Sequence, residues 1–400
     1  MLTNRKKILF TYYSMDIGGS TTSLLSILNS LDPQKYEIYL MLYRNTGELL
    51  PFVPSYVTLL EPAAQKKSFY TEFKKILKLL TRKTFYQGIH YQLKNKEKKF
   101  PVTLHSEIQA RYFSRKPNTK FDIAIGGMEG WSDKYVAYQV EADIKLVWFH
   151  SLFSKISETP SLEINWLNKI NYIVNISKEC EEDFLDRLPQ FANKCIIIKN
   201  MLDQNIVLQR SKDKMEDKDY DFWKNYEGFK IITVSRLDPA KALHRVAMCA
   251  EIMKKNGCDF KWLIVGNGDE RVKLHKLIIR KHLEHYVYLV GAKKNPYPFI
   301  KESNVFCLTS FYEGTPVTVK ESMMLGIIPV VTRYKSAENQ IQNNETGFIV
   351  DNEDTAVVEV LGKLYSSKET QNRIKMNLSK LKFSDKESMR ILENIWSKHC

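Results

Sequence analysis

Two carboxylates separated by seven residues, Glu313 and Glu321, stand within VFCLTSFYEGTPVTVKESMMLGIIPVVTRY, which runs from Val305 to Tyr334. Two apolar runs of strand length flank them, Val305–Thr309 and Ile328–Thr332. Thr315 is placed to cap a helix, with Pro316 at the first helical position, where a missing N–H costs nothing. Gly326 and then Pro329 close it. A helix opening just past the C-terminal end of a strand presents N–H groups where open parallel α/β sheets take ligands. An anion such as a diphosphate is favoured there. Helical side chains lean toward the N-terminus, so Glu321 on the second turn and Glu313 in the preceding loop can reach one pocket mouth. Carboxylates beside a phosphate-seeking helix end suit a diphosphate that carries hydroxyl-rich groups, a ribose on one side and a hexose on the other. The plainer alternative leaves Glu313 on a surface loop and Glu321 favouring the helix dipole.

Other strand ends carry ligand-type residues too. Arg236 and Lys241, in SRLDPAK, flank the turn between the strand Phe229–Leu237 and a helix from Ala242 to about Lys255. A guanidinium fork and an ammonium point charge both suit phosphate oxygens. Gly266-Asn267-Gly268 ends the strand Lys261–Val265, and Gly291 ends Val287–Val290, followed by KKNPY with Lys293 and Asn295. Near the start, the strand Lys7–Ser14 meets Gly18-Gly19 before a helix from Thr21 to Leu31. That turn serves a phosphate or a sugar, or only a sharp bend. His150 closes the strand Ile144–His150, as a structural residue or as a ligand contact.

Taken together these stretches resemble a known family. EGTPVTVKE followed by G-x-x-P-V-V closely resembles the signature of retaining GT-B glycosyltransferases of family 4. SRLDPAK resembles that family's G-R-L-x-x-x-K-G element, with Ser235 for a frequent Gly and Ala242 for the Gly after the lysine. FDIAIGGMEGW…KLVWFHS is similar to its pattern of a strand ending in His, often His-x-Asp, although Leu152 stands where that Asp would be. The resemblance implies a GT-B fold: two Rossmann-like, doubly wound parallel-sheet α/β domains facing across a cleft, the second holding a nucleotide-sugar and the first the acceptor. It places Glu313 and Gly314 by the donor sugar and Glu321 on the ribose. Arg236, Lys241, Gly19 and the stretch Thr315, Pro316 and Val317 would hold the diphosphate. Gly266, Gly291, Lys293 and Asn295 would form the nucleobase loop. His150 would face the sugar. Glu313 and His150, the residues at the reacting centre, would position the sugar rather than attack it. The departing phosphate oxygen would take the acceptor's proton. No cofactor and no metal are implied.

The same reading divides the chain into an acceptor domain (1–203), a linker (204–228), a nucleotide-sugar domain (229–365) and C-terminal helices (366–400). Those last helices cap the second domain or cross back to the first. Asp217, Asp219 and Asp221 have a spacing that can hold a divalent metal. They lack the apolar strand on which such a site is mounted, and read as a charged interdomain loop.

Four hundred residues suffice for two cores, and 44% apolar content is ordinary for globular chains. No apolar run reaches about 18 residues, so no spanning helix is expected, and the opening MLTNRKKILFTYY reads as a strand rather than a leader. Six scattered cysteines suit buried thiols in a reducing cytosol. The net charge is +14, and 66–120 alone holds 15 Lys and Arg against three Glu. Basicity is therefore local. Within that segment Phe69–Leu80 has the spacing of a basic amphipathic helix, either a solvated face or one that lies on anionic lipid. No nucleic-acid motif accompanies it, so nucleic acid is not an expected partner.

The function expected is transfer of a sugar, with retention, from a nucleotide-sugar, a UDP-sugar foremost, to a hydroxyl of a glycan or lipid-linked acceptor. The setting would be capsule, exopolysaccharide or other envelope glycan synthesis, in the cytoplasm or peripherally at the inner membrane face. A nucleotide-sugar epimerase or hydrolase of the same fold would need a second acid around the sugar. A non-catalytic module binding membrane or polyanion rests on the basic segment alone.

Overall fold

Parallel strands buried on both faces need nearly continuous apolar sequence, and runs such as KKILFTY and ADIKLVWF supply it. The computed structural model describes residues 5–64, 102–157 and 159–397. The first half carries β1 (Lys6–Tyr12), β2 (Tyr36–Leu42), β3 (Thr58–Leu59), β4 (Phe121–Gly126), β5 (Ala142–Phe149), β6 (Tyr172–Asn175) and β7 (Cys195–Ile197). They pair in the order β3-β2-β1-β4-β5-β6-β7, every pair parallel. The sheet grows in one direction from β1 and in the other from β4. One face packs Ile8, Phe10, Leu24 and Leu28 together, and the other packs Leu9, Trp131, Tyr135 and Phe149.

The second half repeats the plan with β8 (Phe229–Val234), β9 (Phe260–Val265), β10 (Val287–Gly291), β11 (Val305–Leu308), β12 (Ile328–Thr332) and β13 (Phe348–Val350). Their order is β10-β9-β8-β11-β12-β13, again parallel throughout. Growth reverses between β8 and β11, which pair Ile231 with Val305 and Ile232 with Phe306. Both sheets are thus doubly wound, and ligands of such sheets bind beyond the strand C-termini at the reversal.

Contacts divide the chain into Met1–Met201 with Lys386–Cys400, and Leu202–Asp385. This corrects the expected linker at 204–228. That segment forms the helices Gln204–Arg210 and Lys218–Asn225, capped by the side chains of Asp203 and Asp217, within the second unit. Val207 and Trp223 enter the second core, and the Trp223 Nε1–H donates to Phe299 O at 3.0 Å. A few large apolar residues on one face anchor helices whose other positions are polar. The helices of 366–400 also separate. Lys368–Lys380 stays with the second unit, whereas Lys386–Ser397 sets Leu392, Ile395 and Trp396 into the first core. The Trp396 ring meets Tyr36 edge-on at 5.5 Å.

The expected basic helix Phe69–Leu80 lies outside the described residues, while part of the basic segment 66–120 forms the helix Val102–Tyr112. Among the described residues no helix is long and apolar enough to cross a membrane. The five described cysteines are free thiols, and Cys180, Cys249 and Cys307 are buried.

Candidate functional site

From β8 the chain turns toward β9 and from β11 toward β12, on opposite sides of the reversal. The two departing loops therefore part and form a crevice wall each. Arg236 and Lys241 leave β8 on one of them, and Ser310 to Thr315 leave β11 on the other. Backbone and threonine contacts fix the loops: the Phe311 N–H donates to Ala240 O at 2.8 Å. The Thr309 hydroxyl donates to Lys241 O at 3.1 Å, and that of Thr332 to Ser310 O at 2.7 Å. Lys241 Nζ then meets both oxygens of Glu313, at 2.7 and 2.8 Å. The Ser310 hydroxyl donates to Glu313 Oε1 at 2.5 Å. Only 8% of the Glu313 side chain and 15% of the Lys241 side chain are exposed. A pair this shielded is held because each charge compensates the other.

The two cations of SRLDPAK are therefore not equivalent. Lys241 is engaged by Glu313, whereas the Arg236 side chain is 81% exposed and its Nε lies 3.7 Å from Asp238. Ala242, where the resemblance has glycine, sits in the left-handed region at φ 48° and is buried. The turn keeps the glycine conformation with an alanine in it.

The helix past β11 spans Val317–Met324, with Pro316 as its N-cap. The expected cap, Thr315, falls one residue short. Pro316 is extended (ψ 114°), so helical geometry begins only at Val317. Thr315 and Gly314 lie in the loop before it. At the other end Gly326 has φ 74°, and the N–H groups of Gly326 and Ile327 bond Met323 O and Ser322 O. This is the helix stop expected from Gly326. Glu321 is buried, and the Tyr297 hydroxyl donates to its Oε1 at 2.9 Å. Burial pushes the Glu321 carboxyl up to about 7, against the opposing pull of the Tyr297 hydrogen bond and the Arg210 charge. The two carboxylates thus belong to separate hydrogen-bond sets.

Gly266 and Gly291 hold neighbouring loops together. A Cβ on Gly266 would lie 1.8 Å from Ser235 O, and the Gly266 N–H donates to Gly291 O at 2.9 Å. Only glycine lets the loop after β9 pack this tightly against the one after β8. Lys293 and Asn295, expected in a base-reading loop, both have side-chain partners in the segment before the second sheet. Lys293 Nζ binds Asp217 Oδ2 at 2.7 Å and Asp219 Oδ2 at 2.8 Å. Partial burial acts to raise the Asp217 pKa, but the Lys293 hydrogen bond prevails and holds it below the usual carboxylate range. Asn295 donates to Arg210 O at 2.7 Å and Asp213 Oδ2 at 2.9 Å. The acidic segment before the second sheet folds over the β10 loop and takes up both side chains.

In the first unit, Gly19 opens the helix Gly19–Ser30 beyond β1, at that sheet's own reversal. His150 follows β5. Its Nε2 lies 2.9 Å from Gly127 O, and its Nδ1 lies 3.0 Å from Asn200 Oδ1. Both ring nitrogens therefore have a protein partner. The Glu129 carboxylate accepts from the N–H groups of His150 and Ser151 at 2.5 and 2.9 Å. A ring so engaged suits orientation better than proton transfer. Ser310, Tyr297, Glu129 and Asn200 escaped sequence reasoning. The usable signals were modest: Ser310 stands at a strand end and Tyr297 lies in the quoted KKNPY.

Residues 216–380 match the model of the family described as glycosyl transferases group 1. An uncharacterized glycosyltransferase of Methanocaldococcus jannaschii is 30% identical over 149 residues, which is 37% of this chain and 36% of that protein. The Campylobacter jejuni N-acetylgalactosamine-N,N'-diacetylbacillosaminyl-diphospho-undecaprenol 4-alpha-N-acetylgalactosaminyltransferase is 29% identical over 190 residues, 47% of this chain and 49% of that one. The chain thus spans about half or less of these relatives' lengths. Among solved structures, Anabaena HepE in complex with UDP and glucose superposes with a TM-score of 0.69 at 15% identity. That match covers 98% of this chain and all of HepE. With two parallel sheets of seven and six strands, the fold is GT-B.

Proposed function

We propose that the chain is a retaining, metal-independent glycosyltransferase that moves a sugar from a UDP-sugar to a hydroxyl of a glycan or lipid-linked acceptor. One observation carries this reading. Lys241 on Glu313, the exposed Arg236 and the helix N-terminus at Val317 all occur at the strand reversal of the second sheet. Positive groups there suit a departing diphosphate and would stabilise charge as it develops. Glu313 and Gly314 would then address the transferred sugar and Glu321 the ribose. Gly19 and His150 are the first unit's contributions to substrate binding. Metal independence draws support from the cations already present, and from Lys293 occupying Asp217 and Asp219. The Campylobacter relative's name specifies an undecaprenol-diphosphate acceptor, which supports a lipid-linked acceptor and envelope glycan synthesis. The basic segment 66–120 would bring the enzyme to the inner membrane face.

The experiment is incubation with a panel of nucleotide-sugars, with and without a lipid-linked acceptor, reading nucleoside diphosphate release and product anomeric configuration. Acceptor-stimulated release of UDP that survives EDTA is expected, with the donor's configuration kept. No release from any donor overturns the reading. Release that EDTA abolishes and magnesium restores overturns its metal-independent part.

A further inference from the structure

Tyr297 is buried, and the ligand contacts discussed above give it no role of its own. It opens the short helix Tyr297–Lys301, and its N–H is accepted by Asn295 Oδ1 at 3.2 Å. Asn295 is tied in turn to Arg210 O and Asp213 Oδ2. The Arg210 guanidinium lies 5.2 Å from the Tyr297 ring centroid, and its Nη2 donates to Lys294 O at 2.9 Å. The helix Gln204–Arg210 and the loop after β10 thus build a frame around the phenol. That phenol donates to one oxygen of Glu321. A hydroxyl fixed in this way holds one carboxylate oxygen and fixes the plane in which the other accepts.

We propose that Tyr297 is the positioning residue for recognition of the donor's ribose, holding Glu321 so that its second oxygen accepts from the 2′-hydroxyl. The proposal rests on the nucleotide-sugar reading. The phenol acts in two ways. It orients the carboxylate, and by donating to it favours the ionised form, which accepts more strongly from a diol than the neutral acid does. The charged and titratable groups bearing on Glu321 are Tyr297 and Arg210, both of which oppose the effect of burial. Asp213 stands behind them through Asn295.

The test is calorimetric titration of the full chain with UDP and with 2′-deoxy-UDP, from about pH 6 to about pH 8. Wild type is expected to bind UDP about tenfold tighter than the deoxy analogue, the worth of one hydrogen bond to a charged group. Its preference for UDP over the deoxy analogue should rise with pH across this range, a ratio from which titration of the shared terminal phosphate cancels. Tyr297→Phe, which keeps the ring and its packing, should bind UDP about tenfold more weakly and the deoxy analogue unchanged. Its pH dependence should move upward. Glu321→Gln should lose both the preference and the pH dependence. Unchanged discrimination and pH dependence in Tyr297→Phe would reduce the residue to packing and overturn the proposal, as would a preserved preference in Glu321→Gln. UDP binding by wild type without discrimination sinks this inference alone. Absence of UDP binding sinks the functional reading beneath it as well.

Discussion

The Lys241–Glu313 pair sets two requirements against each other. The carboxylate neutralises the lysine, and on the proposed reading a diphosphate would have to compete for the same ammonium. Replacing Glu313 by Gln removes the competing charge and keeps the shape. Glu313→Gln should therefore bind UDP several-fold more tightly while transferring sugar about a hundredfold more slowly. Titration beside steady-state kinetics would show it, and weaker UDP binding would mean that Glu313 supports the phosphate site. Arg236→Ala should slow transfer about 30- to 1000-fold, corresponding to the roughly 2–4 kcal/mol that such a transition-state contact supplies. An unchanged rate removes Arg236 from the site. Ala242 tests backbone cost at the same turn. A left-handed alanine costs about 1–2 kcal/mol, and glycine returns part of that through its freer unfolded chain. Ala242→Gly should raise the urea midpoint, by about 0.5–1 kcal/mol of stability. A lowered midpoint would mean that the buried methyl group contributes more than the strain costs.

Three helices of the first unit meet at one buried charge. Glu163, on Pro160–Leu167, lies 3.2 Å from Lys134 Nζ on Trp131–Tyr138 and accepts from Thr103 on Val102–Tyr112 at 2.5 Å. It also accepts from Trp166 Nε1 at 2.6 Å. Both charged side chains are buried, so removing one strands the other. Glu163→Ala should cost about 3–5 kcal/mol, read from the unfolding midpoint. Burial alone would raise the Glu163 pKa, yet Lys134 and the hydrogen bonds lower it. The contribution is thus complete at pH values above the ordinary carboxylate range, and is lost as pH falls through the depressed native value. The gap between wild type and Glu163→Ala should narrow in acid. A gap constant down to low pH would contradict the ion pair.

At the scale of the whole molecule, charge is the unevenly distributed property. Of the net +14, the segment 66–120 contributes +12. Each nearby Lys or Arg adds about 1 kcal/mol at an anionic lipid surface, and salt screens that attraction. The protein should therefore sediment with anionic vesicles at low salt and be released as salt rises. Changing Lys74, Lys75 and Lys78 together to Glu should abolish sedimentation and leave turnover of a soluble acceptor analogue intact. Wild type that ignores such vesicles at low salt would make the segment an ordinary solvated face.

What the sequence determined by itself is what local rules control. Strands buried on both faces must be apolar, so β1, β5 and β8 to β12 were legible, whereas the short β3 and β13 were not. Gly326 marked the end of its helix because few other residues tolerate its backbone angle, and Arg236, Lys241 and Glu313 were legible as strand-end residues. Partnership was not legible. Lys241 and Glu313 are 72 residues apart, and Lys293 and Asp217 are 76 apart. The order β10-β9-β8-β11 brings the first pair together at the reversal, and the fold of 204–228 over the β10 loop brings the second. Whether a charge stands ready for a ligand or is already matched depends on those long-range neighbours. Tertiary structure therefore separated exposed Arg236 from engaged Lys241, and gave Lys293 and Asn295 partners in 210–219.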